Sequence, residues 1–113
     1  MSDLQVQHDF DDGVCIVTLL GEARLETVEA FDAVAREIDV REDTRAVIVD
    51  LSRLEFMDSA STGSLLRLHG RMEDRGGKLV MHSLPRFILR LFDRLGLSQF
   101  HVASDAAAAA ERL

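Results

Sequence analysis

The run "AVIVDL", Ala46 to Leu51, narrows the folds open to this chain more than any other stretch. It is almost wholly apolar and rich in β-branched side chains, as suits a central strand covered on both faces. The hydrophobic period changes on either side of it. Upstream, Leu25, Val28, Phe31, Val34 and Ile38 recur at three- and four-residue steps while Glu26, Glu29, Asp32, Arg36 and Glu37 fall mostly elsewhere. That spacing predicts an amphipathic helix of about four turns. Downstream, Leu65, Leu68 and Met72 make one stripe with Leu66 and His69 beside it. A second helix is therefore expected from about Ser59 or Ala60 to Asp74, stopped at Gly76-Gly77.

The remaining elements extend the alternation. Leu4, Val6, His8 and Phe10 alternate with Gln5, Gln7 and Asp9, as in a half-covered strand, and Asp12-Gly13 suits a tight hairpin. Val14 to Leu20 is nearly all apolar, which predicts a second strand buried on both faces and ended by Gly21. "KLVMH" (78–82) reads as a short strand. Pro85 opens a helix, "PRFILRLFDRL", whose Phe87, Ile88, Leu91, Phe92 and Leu95 cover a wide face before Gly96. "SQFHVA" reads as a final edge strand, and Ser104 is placed to cap a last helix, "DAAAAAERL". The order β-β-α-β-α-β-α-β-α describes an α/β domain: a mixed, mainly parallel β-sheet covered by about four α-helices, lying mainly on one face. A chain of 113 residues suits one domain over 1–113, with 104–113 as a C-terminal helix or a frayed tail.

Charge and missing motifs exclude several functions. A net charge of −7 opposes attraction to nucleic acid or anionic lipid. No apolar run approaches the length of a membrane span, and the N-terminus "MSDLQVQHDF" lacks the pattern of a signal peptide, so a cytoplasmic protein without membrane insertion is expected. Cys15, the single cysteine, sits among Val14, Ile16 and Val17, as a strand residue rather than an activated thiol. His8, His69, His82 and His101 are dispersed, without zinc-ligand spacing, and read as surface or sheet-edge residues; no metal and no cofactor is expected. The phosphate-binding glycine loops and the GxSxG elbow of serine hydrolases are missing, which argues against an enzyme.

One stretch, "FMDSASTG" (Phe56 to Gly63), carries two readings. Asp58 or Ser59 can cap a helix by accepting its unpaired backbone N–H groups, which is worth ~1 kcal/mol and needs no further function. The same geometry suits a phosphorylated hydroxyl, because the helix N-terminus favours added negative charge.

From Val47 to Val102, through "VIVDLSRLEFMDSASTGSLLRLHGRMEDRGGKLVMHSLPRFILRLFDRLGLSQFHV", the chain closely resembles the STAS domain of bacterial anti-sigma-factor antagonists, as do Gly21-Glu22 and "RLFDRLGL". The resemblance implies a partner switch in transcription regulation, of the kind that serves stress responses. An unphosphorylated antagonist binds an anti-sigma factor with serine kinase activity, phosphorylation of the turn serine breaks the complex, and a PP2C-type phosphatase restores it. The phosphoacceptor position corresponds to Ser59, after Asp58, with the turn glycine at Gly63. The resemblance places the partner-binding region at Met57, Asp58, Ser59, Ser61, Thr62, Ser64, Leu65 and Leu68. Ala60 and Ser61 stand where the family has a second serine and a glycine, which makes Ser61 and Thr62 alternative acceptors.

Where many members continue Leu-Asp after Gly-Glu, this chain has Ala23-Arg24. Arg24 is either a possible phosphate contact for Ser59 or a solvated arginine at a helix start. Two other functions stay open: a constitutive STAS interaction subunit, of a lipid-transport ATPase complex or a sensory scaffold, and a nucleotide-binding domain.

Overall fold

The computed structural model describes residues 3–113. Strands β1 (Leu4–Asp11) and β2 (Val14–Ala23) form the hairpin; α1 (Glu29–Val40), β3 (Ala46–Met57), α2 (Ser59–Asp74), β4 (Lys78–His82), α3 (Arg86–Arg94), β5 (His101–Ala103) and α4 (Ala106–Glu111) follow. The sheet order is β1-β2-β3-β4-β5, with β1 antiparallel to β2 and every other pair parallel. Asp12 and Gly13 both have positive φ, 49° and 78°, the backbone a two-residue hairpin of this twist requires.

Val47, Val49 and Leu51 put one row of β3 into the main core, where they meet Phe31, Val34 and Ile38 of α1, Leu65, Leu68 and Met72 of α2, and Ile88 and Phe92 of α3. Each fully buried aliphatic side chain contributes on the order of 1.5–3 kcal/mol. The opposite row is covered more thinly. Ile48, Val80 and Ala103 form a small cluster with Ala109 of α4, against which Val14 of β2 packs partly buried. Ile16 is therefore 44% exposed, and β2 is not buried on both faces as its composition predicts.

Other differences have local causes. Leu25, expected on the buried stripe of the first helix, is 69% exposed. Residues 25–28 form a turn in which the N–H groups of Thr27 and Val28 both return to the Arg24 carbonyl, at 3.0 and 2.8 Å, and α1 starts only at Glu29. β3 continues past Leu51 to Met57 because β2 keeps pairing with it through two register shifts. Leu95 lies beyond the end of α3 and is 43% exposed. The last helix is capped by Asp105, whose carboxylate accepts the Ala108 N–H at 2.8 Å, and not by Ser104. His69 and His82 are buried, not at the surface. His69 packs edge-on against Phe100, and His82 Nδ1 lies 2.8 Å from Ser83 Oγ.

Arg75 locks α2 against the end of α1. Its guanidinium donates to the carbonyls of Ile38, Arg41 and Thr44 through Nη1 and of Asp39 through Nη2, at 3.1–3.4 Å. They belong to the last turn of α1 and the segment that follows it, where carbonyls point away from the helix. Among the described residues no helix is long and apolar enough to cross a membrane.

Candidate functional site

Met57 closes β3 with its side chain in the core, and Asp58 turns the chain into α2. Asp58 is extended, at φ −95° and ψ 176°, so its side chain can reach back over the first turn. Oδ1 accepts the Ser61 N–H at 2.8 Å, as an N-cap does. Oδ2 accepts the Leu25 N–H at 2.9 Å, and the Asp58 N–H donates to the Ala23 carbonyl at 3.1 Å. One residue thus ties the start of α2 to the segment leaving β2. Burial acts to raise the Asp58 carboxyl. The N–H groups of Ser61 and Leu25 outweigh it, the Ser61 hydroxyl and the Arg24 guanidinium add to them, and the group lies below its ordinary value.

Ser59 is the first residue of α2, exposed, and its hydroxyl has no hydrogen-bond partner among the described residues. The Asp58 carboxylate occupies one of the unpaired N–H groups of the first turn, that of Ser61, while the Asp58 carbonyl accepts the Thr62 N–H as the first regular bond of the helix. The N–H groups of Ser59 and Ala60 remain for an outside acceptor. The first turn itself holds no acidic residue.

The other residues expected at the site divide between surface and interior. Ser61, Thr62 and Ser64 are 2–3% exposed. Thr62 Oγ1 donates to the Asp58 carbonyl at 3.0 Å, and Ser64 Oγ accepts from Arg67 at 2.9 Å. The Ser61 hydroxyl is buried near the Asp58 carboxylate but outside hydrogen-bond geometry. Met57, Leu65 and Leu68 belong to the main core. In the free chain the expected docking set therefore reaches solvent chiefly through Asp58 and Ser59.

Gly63 is inside α2 rather than in a turn, and a Cβ there would meet only Arg67 Nη1, at 3.6 Å. Accessible residues tied to this segment include Leu25, whose N–H bonds Asp58, Phe56 at 38% exposure near the end of β3, and Gly63 and Arg67 along α2. Helical spacing from Ser59 points to Gly63 and Arg67, one and two turns on. No sequence signal marks Leu25 and Phe56, because both look like core residues until the turn at 25–28 and the bulged β3 place them outside.

Arg24 is not simply solvated. Its Nε donates to Glu22 Oε1 at 3.0 Å, with Nη2 on the same oxygen, and its guanidinium carbon lies 4.5 Å from the centre of the Phe56 ring. Any anion drawn to Arg24 would have to compete with Glu22 for it. Among the described residues no three His, Cys, Asp or Glu side chains gather as metal ligands would.

The family model described as "Mlab, STAS domain" matches residues 6–104. BtrV of Bordetella bronchiseptica, a candidate anti-sigma factor antagonist, is 31% identical over 109 residues, covering 95% of this chain and 92% of that protein. The anti-sigma F factor antagonist of Paenibacillus polymyxa is 28% identical over 95 residues, covering 84% of this chain and 81% of its own. The solved structure of the Bacillus cell fate determinant SpoIIAA in its phosphorylated form superposes with a TM-score of 0.77 at 21% identity, covering 96% of this chain and 98% of that one.

Proposed function

The chain belongs to the STAS domain family, and from that premise we propose that it is an anti-sigma-factor antagonist that switches partners by phosphorylation at Ser59. It acts by binding, in the cytoplasm, and not by catalysis. Unphosphorylated, it offers the face around Leu25, Phe56, Ser59 and Gly63 to an anti-sigma factor that is also an ATP-dependent serine kinase. Ser59 Oγ attacks the γ-phosphorus of ATP, its proton passes to a base of the kinase, the new O–P bond forms and ADP leaves. A PP2C-type phosphatase reverses the mark with water, releasing inorganic phosphate. The observation that carries this reading is the Ser59 hydroxyl: exposed, unbonded, and next to the capping Asp58. The names of the two relatives and the phosphorylated form of SpoIIAA support it.

Release follows from charge. Phosphate adds about −1.5 to −2 charges beside an ionised Asp58, on a face whose neighbours Leu25 and Phe56 are apolar, so docking it means repulsion and a large desolvation cost. Ser61 and Thr62 serve as acceptors only if their side chains leave the interior. A constitutive interaction subunit needs no exposed hydroxyl at this position. Incubation with the cognate kinase and ATP is expected to add one phosphate, read by intact mass and lost in Ser59→Ala. An unchanged mass, or a phosphate that survives that substitution, overturns the assignment.

A further inference from the structure

We propose that the groove between the end of β3 and α3 is a docking site for an acidic, amphipathic helix of the partner, and that phosphate on Ser59 repels that helix. The second half of this inference rests on the reading of Ser59 above. The groove, about 470 Å³, is lined by Glu55, Phe56, Met57, Phe87, Leu91, Arg90 and Arg94. Phe56, Met57, Phe87 and Leu91 supply its apolar side chains, Arg90 and Arg94 its positive charge, and Glu55 its one carboxylate.

The charge of α3 is at odds with the rest of the molecule. The chain carries −7 overall, yet α3 holds Arg86, Arg90 and Arg94 against Asp93 alone, and among the described helices only α3 has a basic excess. Four-residue spacing puts these arginines in one row, about 6 Å apart. Phe87 and Leu91 follow Arg86 and Arg90 by one residue, so an apolar row runs beside the basic one. None of the three arginines is in an ion pair within the described residues. A chain of this net charge that keeps two unpaired arginines in a groove, with a third one turn before them on the same helix, has the complement of a negatively charged ligand.

Geometry selects a helix as that ligand. Carboxylates four residues apart on a facing helix match the spacing of Arg90 and Arg94, and apolar side chains beside them match Phe56, Phe87 and Leu91. A broad anionic surface such as a lipid bilayer meets the remaining negative charge of the domain as well, which works against it.

Phe56 joins the groove to the phosphoacceptor. It lines the groove and also lies under the Arg24 guanidinium. Ser59 follows Met57 by two residues, so their Cα atoms are separated by at most about 7 Å, less than the ~8 Å Debye length at physiological salt. The wall of the groove at Met57 therefore lies within one Debye length of a phosphate on Ser59, so a ligand seated against that wall meets its charge.

The test uses the full chain and a fluorescein-labelled helical peptide with glutamates at every fourth position beside leucines, read by anisotropy. Saturable binding is expected, weakened about tenfold by Arg90→Glu with Arg94→Glu and several-fold by the milder pair Arg90→Gln with Arg94→Gln. Thermal melts establish that the variants are folded. The same peptide with lysines in place of glutamates is expected not to bind, and a phosphoserine installed at position 59 during translation weakens the acidic peptide. No binding, equal binding of the lysine peptide, equal affinity of both arginine pairs and wild type, or preferential binding of anionic phospholipid vesicles at the arginines overturns the groove. An affinity unaffected by the phosphoserine overturns the coupling. Phosphorylation of Ser59 by the cognate kinase is scored separately: if it occurs while the peptide fails to bind, the groove falls and the switch stands; if the peptide binds and Ser59 takes no phosphate, the reverse holds.

Discussion

Replacing Asp58 tests whether this one side chain holds the start of α2, with the proposed phosphoacceptor Ser59, in place. Asp58→Ala removes the cap on Ser61 N–H and the tie to Leu25 N–H, both at 2.8–2.9 Å. The cap is worth ~1 kcal/mol. A bond to a charged acceptor is worth up to ~3 kcal/mol, but Asp58 is only half-buried and the freed Leu25 N–H can be hydrated, so we assign the tie ~1 kcal/mol. The expected loss is therefore ~2 kcal/mol, or about 8 °C in Tm for a chain of this length. Asp58→Asn separates the two bonds. Its amide oxygen can still cap Ser61, while its NH₂ group faces the Leu25 N–H donor to donor, and the expected loss is ~1 kcal/mol.

Urea unfolding measures these differences, and amide hydrogen exchange locates them. Both Ser61 and Leu25 exchange faster in the alanine variant, and only Leu25 does so in the asparagine variant. The pH dependence has a definite sign. Because the folded-state carboxyl lies below its ordinary value, its contribution is fully present above the unfolded carboxylate range and is lost as pH falls through the depressed folded value. The stability gap between wild type and Asp58→Asn should thus narrow as pH falls below the ordinary carboxylate range. Equal unfolding midpoints for wild type and Asp58→Ala, or equal losses for the two variants, would refute the assignment of two separate bonds.

Gly77→Ala should cost about 1–3 kcal/mol in urea unfolding, because its Cβ would stand 2.4 Å from the Arg45 carbonyl oxygen and 2.9 Å from the Met72 methyl. Gly70→Ala, where a Cβ meets nothing within 4 Å, should be neutral or stabilising and serves as the control. Cys15 is expected to resist iodoacetamide at neutral pH in the native protein and to react in denaturant, since burial pushes its thiol up to about 11; modification of the folded chain at the unfolded rate, read by mass, contradicts this. Arg24→Ala should make release by phosphorylated Ser59 more complete, several-fold by titration calorimetry, if the guanidinium shares itself between Glu22 and the phosphate; identical affinities of the two phosphorylated forms would show that it does not.

Much of the scaffold is legible in the sequence for a simple reason. Where local pattern and tertiary burial agree, as in "KLVMH" or in α2 after Asp58, the elements emerge close to their observed limits. The start of α2 at Ser59 is legible because Asp58 carries the cap chemistry itself. The extension of β3 to Met57 is not, since its hydrogen bonds are determined by β2 across the register shifts rather than by its own alternation. Leu25 misleads by the same mechanism: its spacing fits the helix, but Thr27 accepts the Arg24 N–H and donates to the Glu22 carbonyl, and the chain turns there instead.

The candidate site divides along that boundary. The position of Ser59 follows from the helix start, whereas the depth of Ser61, Thr62, Leu65 and Leu68 depends on how α2 rests on the sheet. The neighbours that replace them at the surface, Phe56 and Leu25, come from segments whose placement is a tertiary matter.

The most direct test of the partner switch is the affinity of the chain for its anti-sigma factor, measured by titration calorimetry with unmodified protein and with protein carrying phosphoserine at position 59. Placing about −1.5 to −2 charges on the docking face beside Asp58 is expected to weaken binding by at least about tenfold. Equal affinity of the two forms contradicts the switch at Ser59.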